Sequence, residues 1–69
     1  MINKLEKLAD KLARDLQNKI NKNGIYENAG QNELRIFEDK VNNTDLTYPE
    51  KYKLKQMFIN KIENIANNF

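Results

Sequence analysis

The breadth of the apolar face in the last third of this chain constrains its fold more than any other feature. From Thr47-Tyr48-Pro49-Glu50 onward the residues open like a helix. At about 100° per residue, Leu54, Phe58, Ile59, Ile62, Ile65, Ala66 and Phe69 fall in one continuous sector. Tyr48 and Tyr52 widen that sector to roughly 160°, against the ~100° stripe that a single core surface covers. A helix of this kind needs two neighbours, either two helices of its own chain or a second chain.

Length limits the choices further. With 69 residues the chain makes at most one domain, residues 1–69, and a core of that size rarely supplies more than ~3–5 kcal/mol. There is no Cys, so disulfides are excluded, and no His, so a structural zinc would have only carboxylates to hold it. Helix packing, self-association, or both must supply the stability.

The opening residues Met1-Ile2-Asn3-Lys4-Leu5-Glu6 have neither the apolar core nor the cleavage site of a signal peptide. No run approaches the ~18–20 apolar residues of a membrane span. With the lack of Cys, these features lead to the expectation of a cytoplasmic protein. Twelve Asn, with abundant Lys and Ile, point to an AT-rich bacterial, phage or plasmid genome.

The first helix is the clearest element. Ile2, Leu5, Leu8, Ala9, Leu12, Ala13, Leu16 and Ile20 recur at three- and four-residue steps and occupy an arc of roughly 140°. Asp10 with Arg14 and Asp15 with Lys19 are expected to pair at i,i+4, worth ~0.2–0.5 kcal/mol each. Asn23-Gly24 reads as a stop, because Gly takes the left-handed C′ position without steric cost.

In the middle segment, Ile25 to Gly30 carries no clear period, and Glu33 to Val41 reads as a short helix with Leu34, Phe37 and Val41 on one face. A longer helix starting near Ile25 would have to tolerate Gly30 at ~1 kcal/mol, so the short version is preferred. Ile36 then needs cover from elsewhere. Ile25, Tyr26 and Ile36 either close the end of a bundle or belong to a dimer or partner surface.

Thr47 followed three residues later by Glu50 is a capping box, and Pro49 suits the first turn of the helix it opens. The expected helices are therefore about 2–22, 32–42 and 48–67. The fold class is all-α, a small long-short-long three-helix bundle of antiparallel-packed helices, with homodimerisation as a possible completion. Asn67, Asn68 and Phe69 are expected to fray unless Phe69 docks.

Twelve basic and ten acidic residues leave a net charge of +2, too balanced to announce nucleic acid or a membrane. The distribution is uneven: residues 1–23 carry +3, residues 24–46 carry −3, and residues 47–69 carry +2. A negative middle between positive ends favours side-by-side packing of the three segments. Along the first helix, acids on the polar face are expected to offset the lysines, which disfavours membrane association.

The side-chain inventory is poor in catalysts. His, Cys and Ser are all missing, and Thr44 and Thr47 are the only hydroxyls besides tyrosines. Glu38 and Asp39 are neighbours, so on a helix they diverge by about 100° and cannot share a substrate atom. Two scattered glycines do not make a phosphate-cradling loop. No catalytic residue, cofactor or metal site is expected, and the chain reads as non-enzymatic.

The local oddity is at the start of the third helix, where Lys51 and Lys55 fall inside the apolar sector beside Tyr48 and Tyr52. In the bland reading their stems lie across the core edge while the ammonium groups reach water or the acidic middle. In the functional reading Tyr48, Lys51, Tyr52 and Lys55 form a partner-binding patch, since tyrosines are enriched at interface hot spots.

A DNA-reading helix-turn-helix fits less well. About five residues join the second and third helices where that motif has 3–4, and the third helix has no Arg to read guanine. The loop-joined helical outline resembles the small phosphatase regulators of the Spo-zero-E type. Their Ser-Gln-Glu-Leu-Asp signature is absent, so nothing is carried over.

The expected function is that of a small interaction protein binding another macromolecule. A protein partner or a second copy of the chain is favoured. A DNA- or RNA-binding regulator, or a structural self-associating subunit, is the alternative.

Overall fold

Leu5, Ala9, Leu12, Leu16 and Ile20 recur at helical spacing, and all five are buried along one face of the first helix, α1 (Ile2–Asn23). The computed structural model describes residues 2–68. Two further helices follow, α2 (Gln31–Asn42) and α3 (Tyr48–Asn67), and no strand occurs among the described residues. The chain is an all-α three-helix bundle of long, short and long helices, with Cα extents of 37 × 16 × 16 Å.

Short loops force neighbouring helices to run antiparallel. Gly30 lies against Ile62, Phe37 stacks on Phe58, and Lys51 reaches Asn42, so α2 and α3 run in opposite directions. Asp10 pairs with Lys61, and Ile65 lies beside Ala13 and Gln17, so α1 and α3 run parallel. The bundle is therefore up-down-up rather than antiparallel at all three seams.

Phe37 and Phe58 are fully buried, with ring centroids 4.8 Å apart and planes inclined at 29°. Burying each ring contributes ~1.5–3 kcal/mol, and the stacked pair about 0.5–1.5 kcal/mol more. Leu5, Ala9, Leu12, Val41 and Leu54 complete this core, and Leu8, Leu34, Leu46, Met57 and Ile62 pack at its margin.

The glycines act where the backbone demands them. Gly24 has φ +78° and donates its N–H to the Ile20 carbonyl at 2.7 Å, ending α1 as its sequence suggests. Gly30 has φ +92° immediately before α2, so the middle helix is the short one. A Cβ at Gly30 would stand 2.6 Å from Cγ2 of Ile62, a branch held stiffly at χ1. A Cβ at Gly24 would meet open space.

The ion pairs are not those expected within α1. Lys19 donates to Glu33 Oε2 at 2.8 Å, and Lys61 lies 3.2 Å from Asp10 Oδ1. Asp10–Arg14 and Asp15–Lys19 are not paired, because partners on other helices take Asp10 and Lys19. Glu33 explains one choice: its side chain is only 4% exposed, so its charge needs a neighbour. It sits in the first turn of α2, where the helix dipole favours an anion, yet its Oε1 has no hydrogen-bond partner in the protein.

The hydrogen bond to Glu33, then its negative charge, hold the Lys19 ammonium above its ordinary value of 10.5. That stabilisation is complete below pH 10.5 and is lost as pH rises through the raised value.

Several apolar residues fall short of the burial expected of them. Ile25, Tyr26 and Ile36 are exposed and do not close the end of the bundle. Leu54 and Phe58 are buried, Ile59, Ile62 and Ile65 are half-buried, and Ala66 is exposed. The cause is the length of α2: it begins level with Ile62, so beyond that point α3 has only α1 alongside. Phe69, expected in the core seam, lies outside the described residues.

Gly30→Ala should destabilise the protein by about 2–4 kcal/mol, combining left-handed strain with overpacking, and Gly24→Ala by only about 1 kcal/mol. Urea unfolding of both variants checks the order. The same measurement should show Lys19→Met more destabilising than Lys19→Met combined with Glu33→Met, because the single change strands a buried carboxylate.

Candidate functional site

The start of α3 is built by the capping box. Thr47 is extended (φ −68°, ψ 160°), and its N–H donates to Glu50 Oε1 at 3.1 Å. The Glu50 N–H donates back to Thr47 Oγ1 at 3.4 Å, and the Thr47 hydroxyl donates to Glu50 Oε1 at 2.8 Å. The preceding loop is tied to α2 by the Thr44 hydroxyl, which donates to the Val41 carbonyl at 2.7 Å. These contacts fix where Tyr48 leaves the loop and which way the first two turns of α3 face.

Tyr48, Lys51, Tyr52 and Lys55 converge on one groove of about 160 Å³, together with Asn42 from the end of α2. Spacings of three and four residues put all four α3 side chains on one side of that helix. Lys51 and Lys55 are half-buried, and Lys51 Nζ donates to the Asn42 carbonyl at 3.5 Å. A cation there meets the negative end of the α2 dipole. Both lysines thus line the groove while remaining half-buried.

The tyrosines are different. Tyr48 is 82% and Tyr52 57% exposed, the two most exposed large apolar side chains among the described residues. Neither is required by the core. Two phenols that donate and accept, beside two cations that only donate, suit an acidic group and an apolar surface together.

Sequence reasoning missed Asn42. It stands on a different helix, so no wheel of α3 includes it. The end of the helical pattern after Val41 is the sequence signal that a helix terminus lies close in the chain to this edge.

Two other grooves flank the far half of α3. One, bordered by Asp10, Ala13, Arg14, Gln17 and Ile65, lies between α1 and α3; the other, bordered by Gly30, Leu34, Ile59 and Ile62, lies between α2 and α3. Among the described residues, no three metal-ligating side chains cluster, and no helix is long and apolar enough to cross a membrane. Compared with known protein families, characterised proteins and solved structures, the chain gives no match.

Hydrogen bonds from the Thr47 backbone, then its hydroxyl, hold the Glu50 carboxyl below its ordinary 4.5. Its contribution is therefore present above pH 4.5 and is lost as pH falls through the lowered value. Glu50→Gln keeps the acceptor but removes the charge. That variant should show a shallower loss of stability than the parent between pH 4.5 and 2.5, about two units below the ordinary value, in parallel urea titrations.

Proposed function

We propose that this chain is a small, non-enzymatic interaction protein that docks another protein through the Tyr48–Lys55 edge of α3. What supports this reading is one juxtaposition: two exposed tyrosines beside two half-buried lysines, gathered on one groove at a capped helix start. The tyrosines supply large, stiff contact area, and the lysines supply charge to an acidic partner surface. In the bound state a partner carboxylate lies between Lys51 and Lys55, and an apolar side chain covers the Tyr52 ring. The non-enzymatic part rests on the inventory of side chains, which lacks His, Cys and Ser.

The pre-shaped edge matters for affinity. Lys51 and Lys55 are already half-buried, and Lys51 reaches the Asn42 carbonyl, so less side-chain freedom is lost on binding. Capture from the native host with the intact chain, followed by mass spectrometry, identifies the partner. Tyr52→Ala with Lys55→Ala should leave the helical circular-dichroism signal intact and weaken binding to that partner by about tenfold or more. Unchanged affinity would sink the site.

A further inference from the structure

The outer face of α1 carries a stripe of cations that the docking edge of α3 does not use. Taking about 100° per residue, Lys4, Lys7, Lys11, Arg14 and Lys22 fall within a sector of about 80°, with Asn18 filling the remaining turn. All six are exposed. At 1.5 Å per residue the stripe runs for about 27 Å, and from Lys4 to Arg14 its charges recur every ~4.5–6 Å.

No acid lies inside the sector. Asp10 and Asp15, expected to offset these lysines, flank it on opposite sides, and Glu6 lies farther round toward the core. Asp10 is engaged by Lys61 of α3, which leaves Arg14 without its i,i−4 partner. Among the described residues none of the five cations takes part in an ion pair. Glu33, the buried acid of α2, is taken by Lys19, which lies outside the stripe.

We infer that this stripe is a binding surface for the phosphate backbone of duplex nucleic acid, contacted without reading its sequence. The duplex is favoured on three grounds. Its charge is linear and dense, one phosphate per ~3.4 Å of each strand, which a straight row of cations can follow. The apolar side of α1 is turned into the core, with Leu5, Ala9, Leu12, Leu16 and Ile20 all buried and only Ile2 exposed among its large apolar side chains, so this helix has no apolar face to lay into a lipid surface. Finally, α1 contains no aromatic residue on which unpaired bases could stack, which disfavours a single strand. Lysines, an arginine and amides meeting phosphates position a protein on a duplex but carry no base information.

The surface is separate from the Tyr–Lys groove, so the two readings fail separately. The test is anisotropy of a labelled mixed-sequence 20-base-pair duplex, titrated with the full chain between ~50 and ~200 mM salt. Binding should weaken with a log–log salt slope of about −3 to −5, and Lys7→Gln with Lys11→Gln and Arg14→Gln should reduce that slope by about 3. These exposed changes keep good helix formers, and circular dichroism verifies the fold.

A charge-matched control, Arg35→Gln with Lys40→Gln and Lys53→Gln, should alter the slope by less than about 1. Tyr52→Ala with Lys55→Ala should bind the duplex like the parent. No measurable binding at ~50 mM salt overturns the inference. So does an equal loss in the control triple, or loss in the Tyr52/Lys55 variant. Tighter binding to phosphatidylserine vesicles or to polyglutamate at the same salt also overturns it, assigning the stripe to a membrane or an acidic protein instead.

Discussion

The stack of Phe37 on Phe58 is the contact on which the other packing depends. It joins the short helix α2 to α3, and both rings are wholly excluded from water. A chain of 69 residues with no disulfide has few large side chains to bury, so two adjacent phenylalanines carry a disproportionate share of the core. With that pair in place, Leu12 and Leu54 close around it, Gly30 is brought against Ile62, and the end of α2 is set beside the start of α3.

That placement also determines which surfaces are left over. A 12-residue helix cannot cover the length of a 20-residue one. The core is deepest at Leu54 and Phe58 and thins toward Ile65 and Ala66, where α3 has α1 alone for a neighbour. At the other end the last turn of α2 supplies a floor for the Tyr–Lys edge and a carbonyl for Lys51. The wide apolar sector of α3 is thus met by two helices as far as Ile62 and by one beyond it.

Charges follow the same logic of scarcity. Glu33 is buried because its place in the first turn of α2 faces the bundle, and the nearest flexible cation, Lys19, turns to it. Lys61 draws Asp10 toward α3. Both pairings override the local i,i+4 pairs, which are worth only ~0.2–0.5 kcal/mol and yield readily to tertiary alternatives. The outcome is a cleaner basic face on α1 than local pairing implies.

Periodicity and end signals were enough to determine the elements. The three- and four-residue steps of Leu5 to Ile20, the stop at Gly24, the left-handed break at Gly30 and the Thr47–Glu50 box each depend on residues close in the chain, and each appears in the structure. The grouping of Tyr48, Lys51, Tyr52 and Lys55 was legible for the same reason, since three- and four-residue steps over two helix turns bring them to one side. Only the tertiary structure decided that Asn42 joins them, that Ile25, Tyr26 and Ile36 are left in water, and that Lys19 and Asp10 choose partners on other helices. Those outcomes depend on the level at which one helix meets another, which is set by loop geometry and ring packing between distant residues and has no trace in local spacing.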